Sequence, residues 1–300
     1  MNGQVSGLIE TYQKAGWGIC DPSLGFTCRH GNTHERGLIV RISKESDLST
    51  PQLRELLGIT DNQKIVSFHS GVCGDSQLKE IISETARSLR LKGFVICNGG
   101  YPALDGGMRS VITGAKSAND GEKELPPIII VVTEDLFLKD HRKGDMYPEN
   151  VRILILEDSA HKPNTMLRAH MLNNLGEYVL SFVGGVGTYT EGCHLVEQKG
   201  LNPESHPQKV TFVNLGNFYR GLAQQFVTAV KQKYMPIIPN VNFYTDLFRR
   251  TSHQIAGDLV RIVESNGNAT ISPEHGVLTK IGSLAPHWWQ RIPSIKSTFG

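Results

Sequence analysis

Three hundred residues, 39% hydrophobic and 20% charged, are enough to bury a large core and exclude an intrinsically disordered chain. Lys and Arg number 31 against 29 Asp and Glu, a net charge of +2, so no basic excess points to nucleic acid or a membrane surface. The longest purely apolar run, Ile128 to Val132, falls far short of the roughly 20 residues of a membrane span.

The first residues carry neither a basic start nor an apolar stretch, so no secretory signal is expected. Five cysteines (Cys20, Cys28, Cys73, Cys97, Cys193) form no C-x-x-C pair. An odd count without such spacing predicts reduced thiols and a cytoplasmic protein, not a disulfide framework or zinc ribbon.

Residues 1–60 read as an N-terminal extension holding one short helix, which starts at Ser49-Thr50-Pro51 and ends near Gly58. From residue 61 to 265, short apolar strands alternate with helical patterns. Lys64–His69 reads as a strand leading into Ser70-Gly71-Val72-Cys73-Gly74. The helix after it carries Leu78, Ile81, Ile82 and Leu89 on one face and stops at Gly93. Phe94–Cys97 is the next strand, opening into a glycine-rich stretch that includes Gly99, Gly100, Gly106 and Gly107. A helix from about Met108 to Lys116 follows.

Pro127–Val132 is apolar throughout, as a strand covered on both faces would be. Val151–Leu156 is another strand. Asn164 is placed to cap a helix running to Gly176, and Tyr178–Val183 is a strand that enters Gly184-Gly185-Val186-Gly187-Thr188. A helix to about Lys199 comes next, then a strand at Val210–Val213. Phe218, Leu222, Phe226 and Val230 mark a further helix. Thr245 is expected to cap a last one bearing Leu247, Phe248, Ile255, Leu259 and Ile262. Residues 266–300, with Trp288-Trp289 among prolines, are expected to form a tail packed on the core.

Strands alternating with helices imply βαβ units, hence an α/β, Rossmann-like doubly wound parallel sheet with helices on both faces. Ligands in such sheets bind beyond the carboxyl ends of the strands, where the glycine clusters fall. Gly184, Gly185, Val186, Gly187 and Thr188, between a strand and a helix, offer close backbone approach, free helix-start amides and a hydroxyl, which suit a phosphate. The pattern is neither the dinucleotide fingerprint, since Thr190 stands at the third glycine position, nor a P-loop, since no Gly-Lys-Ser/Thr follows.

Gly184-Gly185-Val186-Gly187-Thr188-Tyr189-Thr190-Glu191 resembles the P-G-G-x-G-T-x-x-E motif of the LOG family, cytokinin-activating phosphoribohydrolases long mislabelled lysine decarboxylases. That family pairs the motif glutamate with an arginine sixteen residues before the first motif glycine, and here that position is Arg168. Ile65–Asp75, Ile96–Gly100 with Gly106-Gly107-Met108, and Val213–Tyr219 resemble other family segments more loosely. Departures are Val183 for the motif proline, Thr190 for an acid, Ala169 for a lysine, and a second loop lengthened by Tyr101–Asp105.

The resemblance implies release of the base from a nucleoside 5′-monophosphate of the AMP or N6-modified AMP type, giving ribose 5-phosphate. Arg168 and Glu191 would carry the chemistry, because a carboxylate beneath the sugar stabilises the positive charge of an oxocarbenium-like state. Ser70, Gly71, Gly99, Gly100, Gly106, Gly107 and Met108 would line the substrate pocket. His69, Asp105 and Arg109 are further candidates for its wall; His170 and Cys73 are assigned no role. The scheme needs no cofactor and no metal. It expects a homodimer, with no nucleic-acid or membrane partner. Two non-catalytic readings stand beside it: nucleotide sensing, and a small-molecule carrier such as the molybdenum-cofactor carriers, which share the glycine-loop layout.

Overall fold

A computed structural model describes residues 2–20, 37–42, 49–71, 74–100, 106–119, 124–141, 146–157, 165–202, 204, 207–216, 218–233, 238, 240–246, 250–269, 271 and 277–280. The order of elements is α1 (Asn2–Lys14), β1 (Gly18–Cys20), β2 (Gly37–Ile42), α2 (Thr50–Leu56), β3 (Ile65–His69), α3 (Ser76–Leu91), β4 (Val95–Asn98) and α4 (Gly107–Ser117). It continues with β5 (Ile128–Thr133), α5 (Glu134–Asp140), β6 (Val151–Leu156), α6 (Thr165–Leu175), β7 (Tyr178–Ser181) and α7 (Val186–Leu201). The last elements are β8 (Lys209–Asn214), α8 (Arg220–Lys231), β9 (Val241–Thr245), α9 (Ser252–Glu264) and β10 (Val277–Lys280).

The strands form one sheet in the order β1-β2-β6-β5-β4-β3-β7-β8-β9-β10. Every described pairing is parallel except β9 with β10. The fold is therefore the expected Rossmann-like α/β sheet. From β3 the chain builds outward through β4, β5 and β6. Helix α6 then crosses back over β5, β4 and β3, and the chain builds the other way through β7, β8 and β9. The winding reverses between β3 and β7, the switch point beside which doubly wound sheets bind their ligands.

Two faces explain the apolar runs. In β5, Ile128, Ile130 and Val132 enter a core beneath α1, α3, α4, α5 and α9. The alternate residues Ile129 and Val131 enter a second core with Leu172 and Leu175 of α6. A third cluster, on the side of α7 and α8, gathers Val179, Leu195, Phe212, Leu222 and Phe243. Burial of both faces is why β5 reads as continuous apolar sequence.

Several helix starts follow local chemistry. Asp75 accepts from the Leu78 amide at the head of α3, and Ser49 with Gln52 forms a capping box before Pro51 in α2. The last helix begins later than its sequence suggests. Thr251, not Thr245, caps it, with Gln254 completing a capping box, while Thr245 ends β9. Helix α7 continues through Gly200 to Leu201. Phe218 precedes α8. Asn164, Leu247, Phe248 and Trp288-Trp289 lie outside the described residues.

Helix α1 is anchored to the core by Tyr12, whose hydroxyl lies 2.5 Å from His141 Nε2 and accepts from the Tyr147 amide at 2.7 Å. Cys20 is disulfide-bonded, whereas Cys97 and Cys193 are free thiols. The expectation of wholly reduced cysteines fails at Cys20, because spacing along the chain does not show which thiols the fold brings together.

Candidate functional site

Three loops interlock at the carboxyl edge of the sheet. The main chain after β3 is the hub: His69 O accepts from the Phe182 amide after β7 at 2.8 Å, and Gly71 O accepts from the Gly107 amide of α4 at 3.0 Å. This packing is close enough to exclude side chains. A Cβ on Gly71 would stand 2.7 Å from the Gly185 nitrogen, and one on Gly184 would collide with the Thr188 side chain. Two glycines are therefore needed where the two loops touch.

Gly185 is the N-cap of α7, whose first turn holds no acidic residue. Around Gly185 and Gly187 a Cβ would meet nothing within 4 Å, so this rim is open. Thr188 is buried, and its hydroxyl side faces Gly71 and Gly184. Val186 is the first residue of the helix. The amides of that first turn have no partners within the helix.

Arg168 and Glu191 meet at this edge. Thr188, Glu191, Leu195 and Val196 form one buried stripe of α7, at the spacing of a single helix face. Arg168 lies one turn before Leu172, on the face of α6 that covers β3 to β5. Arg168 Nη1 stands 3.3 Å from Glu191 Oε1, and the two residues are 6% and 8% exposed. Nε donates to Val131 O at 3.2 Å and Nη2 to Gly99 O at 2.9 Å, with Met108 Sδ at 3.9 Å. The guanidinium is thus fixed in a planar fork by two carbonyls from β5 and the β4 loop. Glu191 Oε2 has no hydrogen bond among the described residues.

The main chain after β4 meets Arg168 at Gly99. Asn98 ties it together, accepting from the Gly100 amide at 2.9 Å and donating to Met108 O at 3.0 Å. A Cβ on Gly99 would fall onto the Arg168 guanidinium. Gly100, at φ +84, packs against Val132 and the Tyr147 hydroxyl. Gly106 is the N-cap of α4, and Gly107 lies against Ser70.

Two side chains at the end of β3 are buried without hydrogen-bond partners among the described residues. His69 is 1% exposed, Ser70 is fully buried, and neither ring nitrogen of His69 nor Ser70 Oγ has a hydrogen bond. Burial holds the His69 imidazole below its ordinary pKa of 6.5; the nearby Glu191 carboxylate opposes that shift and the Arg168 charge adds to it.

Of the residues expected from sequence, the structure brings Arg168 together with Glu191, Gly99 and Met108, and Gly71 together with Gly184 and Thr188; Ser70 packs against Gly107 on the α3 side. Gly185, Val186 and Gly187 lie at the start of α7, Gly106 caps α4, and Gly100 packs against Val132. Asp105 and Cys73 lie outside the described residues, and His170 is engaged with Asn174 at 2.7 Å. Sequence reasoning passed over Asn98 and gave no role to Tyr219, which is fully buried near Glu191. Tyr219 donates to Phe182 O at 2.8 Å and so props the loop leaving β7. Its aromatic position after β8 was the available signal. Among the described residues, no group of three or more His, Cys, Asp or Glu side chains is placed to hold a metal ion. None of the described helices is long and apolar enough to cross a membrane.

The strand order and helices define a doubly wound α/β protein, with the Arg168–Glu191 pair and the glycine loops at the carboxyl edge of its sheet. No family model matches the chain, and no curated protein matches it. Solved structures are similar in fold. The molybdenum cofactor carrier protein from Chlamydomonas reinhardtii is 12% identical at a TM-score of 0.42, covering 68% of this chain and 99% of its own. The molybdenum cofactor binding protein from the phototrophic bacterium Rippkaea orientalis is 15% identical, with a TM-score of 0.42 and the same coverage. The structural-genomics target TM1055 is 19% identical at a TM-score of 0.35, covering 54% of this chain and 80% of its own.

Proposed function

We propose that the protein hydrolyses the N-glycosidic bond of a nucleoside 5′-monophosphate, of the AMP or N6-modified AMP type, to free base and ribose 5-phosphate. The observation that carries this reading is the buried Arg168–Glu191 pair beside the open start of α7. Burying an ion pair costs desolvation and is weak evidence for stability alone. Placed at the switch point with one carboxylate oxygen unspent, it suits work on a ligand.

The residues divide the task. The amides of Val186, Gly187 and Thr188 and the helix dipole bind the 5′-phosphate. Glu191, one turn further on, then faces the sugar. Water adds to C1′ as the C1′–N bond breaks. The bond's electron pair leaves with the base, which takes up a proton, and Glu191 stabilises the positive charge that builds on the ribose. Each nitrogen of Arg168 already has a protein acceptor, so it acts as a positioning residue for Glu191 rather than as a phosphate clamp. The resemblance to the LOG family supports this reading and adds a homodimer to it.

The test is to incubate the protein with AMP, N6-isopentenyl-AMP and the other nucleoside monophosphates. Free base and ribose 5-phosphate should form in equal amounts. Tight nucleotide binding without product would replace the enzyme by a sensor or carrier.

A further inference from the structure

We infer that His69 reads the sugar: its imidazole hydrogen-bonds the ribose 2′-hydroxyl in the Glu191 crevice, so the chain selects ribonucleotides over 2′-deoxyribonucleotides. The inference rests on the phosphoribohydrolase reading and names a specificity residue within it.

Strand alternation aims the side chain. Val66 and Phe68 enter the core on the α3 face, whereas Ile65 packs with Leu172 and Leu175, and Ser67 Oγ donates to Leu172 O at 2.7 Å. Residues two apart share a face, so His69 points toward α6 as well. It lies at the sheet's carboxyl edge, where Arg168 sits one turn before Leu172. Both Glu191 and Arg168 are near enough to act on its charge. Ser70, the other unpartnered group, faces Gly107 and Ile82 on the opposite side.

A core histidine normally has its nitrogens satisfied. His141 shows this in the same molecule, with Nε2 on Tyr12 and Nδ1 2.5 Å from Phe137 O. His69 is more deeply buried and has neither. The chemistry of the missing partner follows from its neighbours. Arg168 offers only donors and Glu191 only acceptors, whereas a neutral imidazole offers one of each. A phosphate needs donors alone. A hydroxyl, which both gives and takes a hydrogen bond, matches an imidazole beside a carboxylate. With Glu191 at C1′, the adjacent hydroxyl is the 2′ one.

The test compares kcat/KM for AMP and 2′-deoxy-AMP in wild type, His69→Phe and His69→Asn. The wild-type preference for AMP should fall by about tenfold or more in His69→Phe and be partly restored in His69→Asn. A ratio unchanged in His69→Phe overturns the inference. A second readout needs neither turnover nor a folded variant: ¹⁵N-histidine spectra of the full wild-type chain titrated with ribose 5-phosphate and with 2-deoxyribose 5-phosphate. The His69 ring, assigned by its sequential connectivity to Phe68 and Ser70, should respond to the first sugar and much less to the second. That response without AMP hydrolysis would refute the enzyme reading and keep the role of His69. Equal responses to both sugars, or no response of that ring at saturation, would overturn it.

Discussion

The guanidinium of Arg168 stands between Gly99 and Glu191, donating to the carbonyl of one at 2.9 Å and reaching the carboxylate of the other at 3.3 Å. The main chain leaving β4 is thereby coupled to the acid proposed to face the sugar. Removing one member of a buried pair strands the other. Arg168→Met and Glu191→Gln should each lower unfolding stability, the former by about 3–5 kcal/mol because it leaves a buried carboxylate uncompensated. The double variant should lose less than the sum of the two. Urea unfolding of the four proteins measures this coupling.

Gly99 leaves no room for a side chain beneath the guanidinium. Gly99→Ala should push Arg168 off Glu191 while leaving the sheet cores untouched. A displacement of about 1 Å at a catalytic geometry costs on the order of 100-fold, so base release should drop by that much, with a loss of stability smaller than that of Arg168→Met because both charges of the pair remain. Steady-state kinetics beside thermal unfolding checks both halves.

Much of this arrangement was legible in the chain. The apolar strand Ile128–Val132 declares itself because both of its faces are buried, and Gly184–Glu191 declares a strand-to-helix glycine turn. Arg168 was reachable only through its register to that motif, since nothing in the α6 pattern singles it out. Strands β1, β2, β9 and β10 were missed. β1 has three residues, and β9 interrupts its apolar residues with Asn242 and Thr245, both buried in the sheet, Thr245 accepting from Asn214 Nδ2 at 3.2 Å. Such polar burial breaks the pattern a strand is recognised by. The missing partners of His69 are a three-dimensional fact that no periodicity encodes.

The anchoring of α1 makes a separate prediction. Tyr12→Phe keeps the ring packing but removes the oxygen that accepts from the buried Tyr147 amide. An unsatisfied buried donor costs about 1–3 kcal/mol. Denaturant unfolding should show that loss, while nucleotide hydrolysis per folded molecule stays near wild type.

The pH dependence of stability should carry the signature of His69. Its folded pKa lies below 6.5 because it is buried, so between the two values the unfolded chain binds more protons than the native one. Stability from this group is complete above about pH 6.5 and is lost as pH falls toward the folded pKa, with a slope of at most about 1.4 kcal/mol per unit. The stability difference between wild type and His69→Gln should therefore shift against wild type on going from pH 7.5 to pH 5.5. A constant difference would mean that His69 titrates normally.

The decisive measurement is chromatographic assay of adenine after incubation of AMP with wild type and with Glu191→Gln, alongside calorimetric titration of AMP into the variant. Wild type should release adenine, and the variant should lose release by about 100-fold or more while still binding AMP. Adenine release undiminished by loss of the Glu191 charge, or its absence from wild type that binds AMP, would contradict the account.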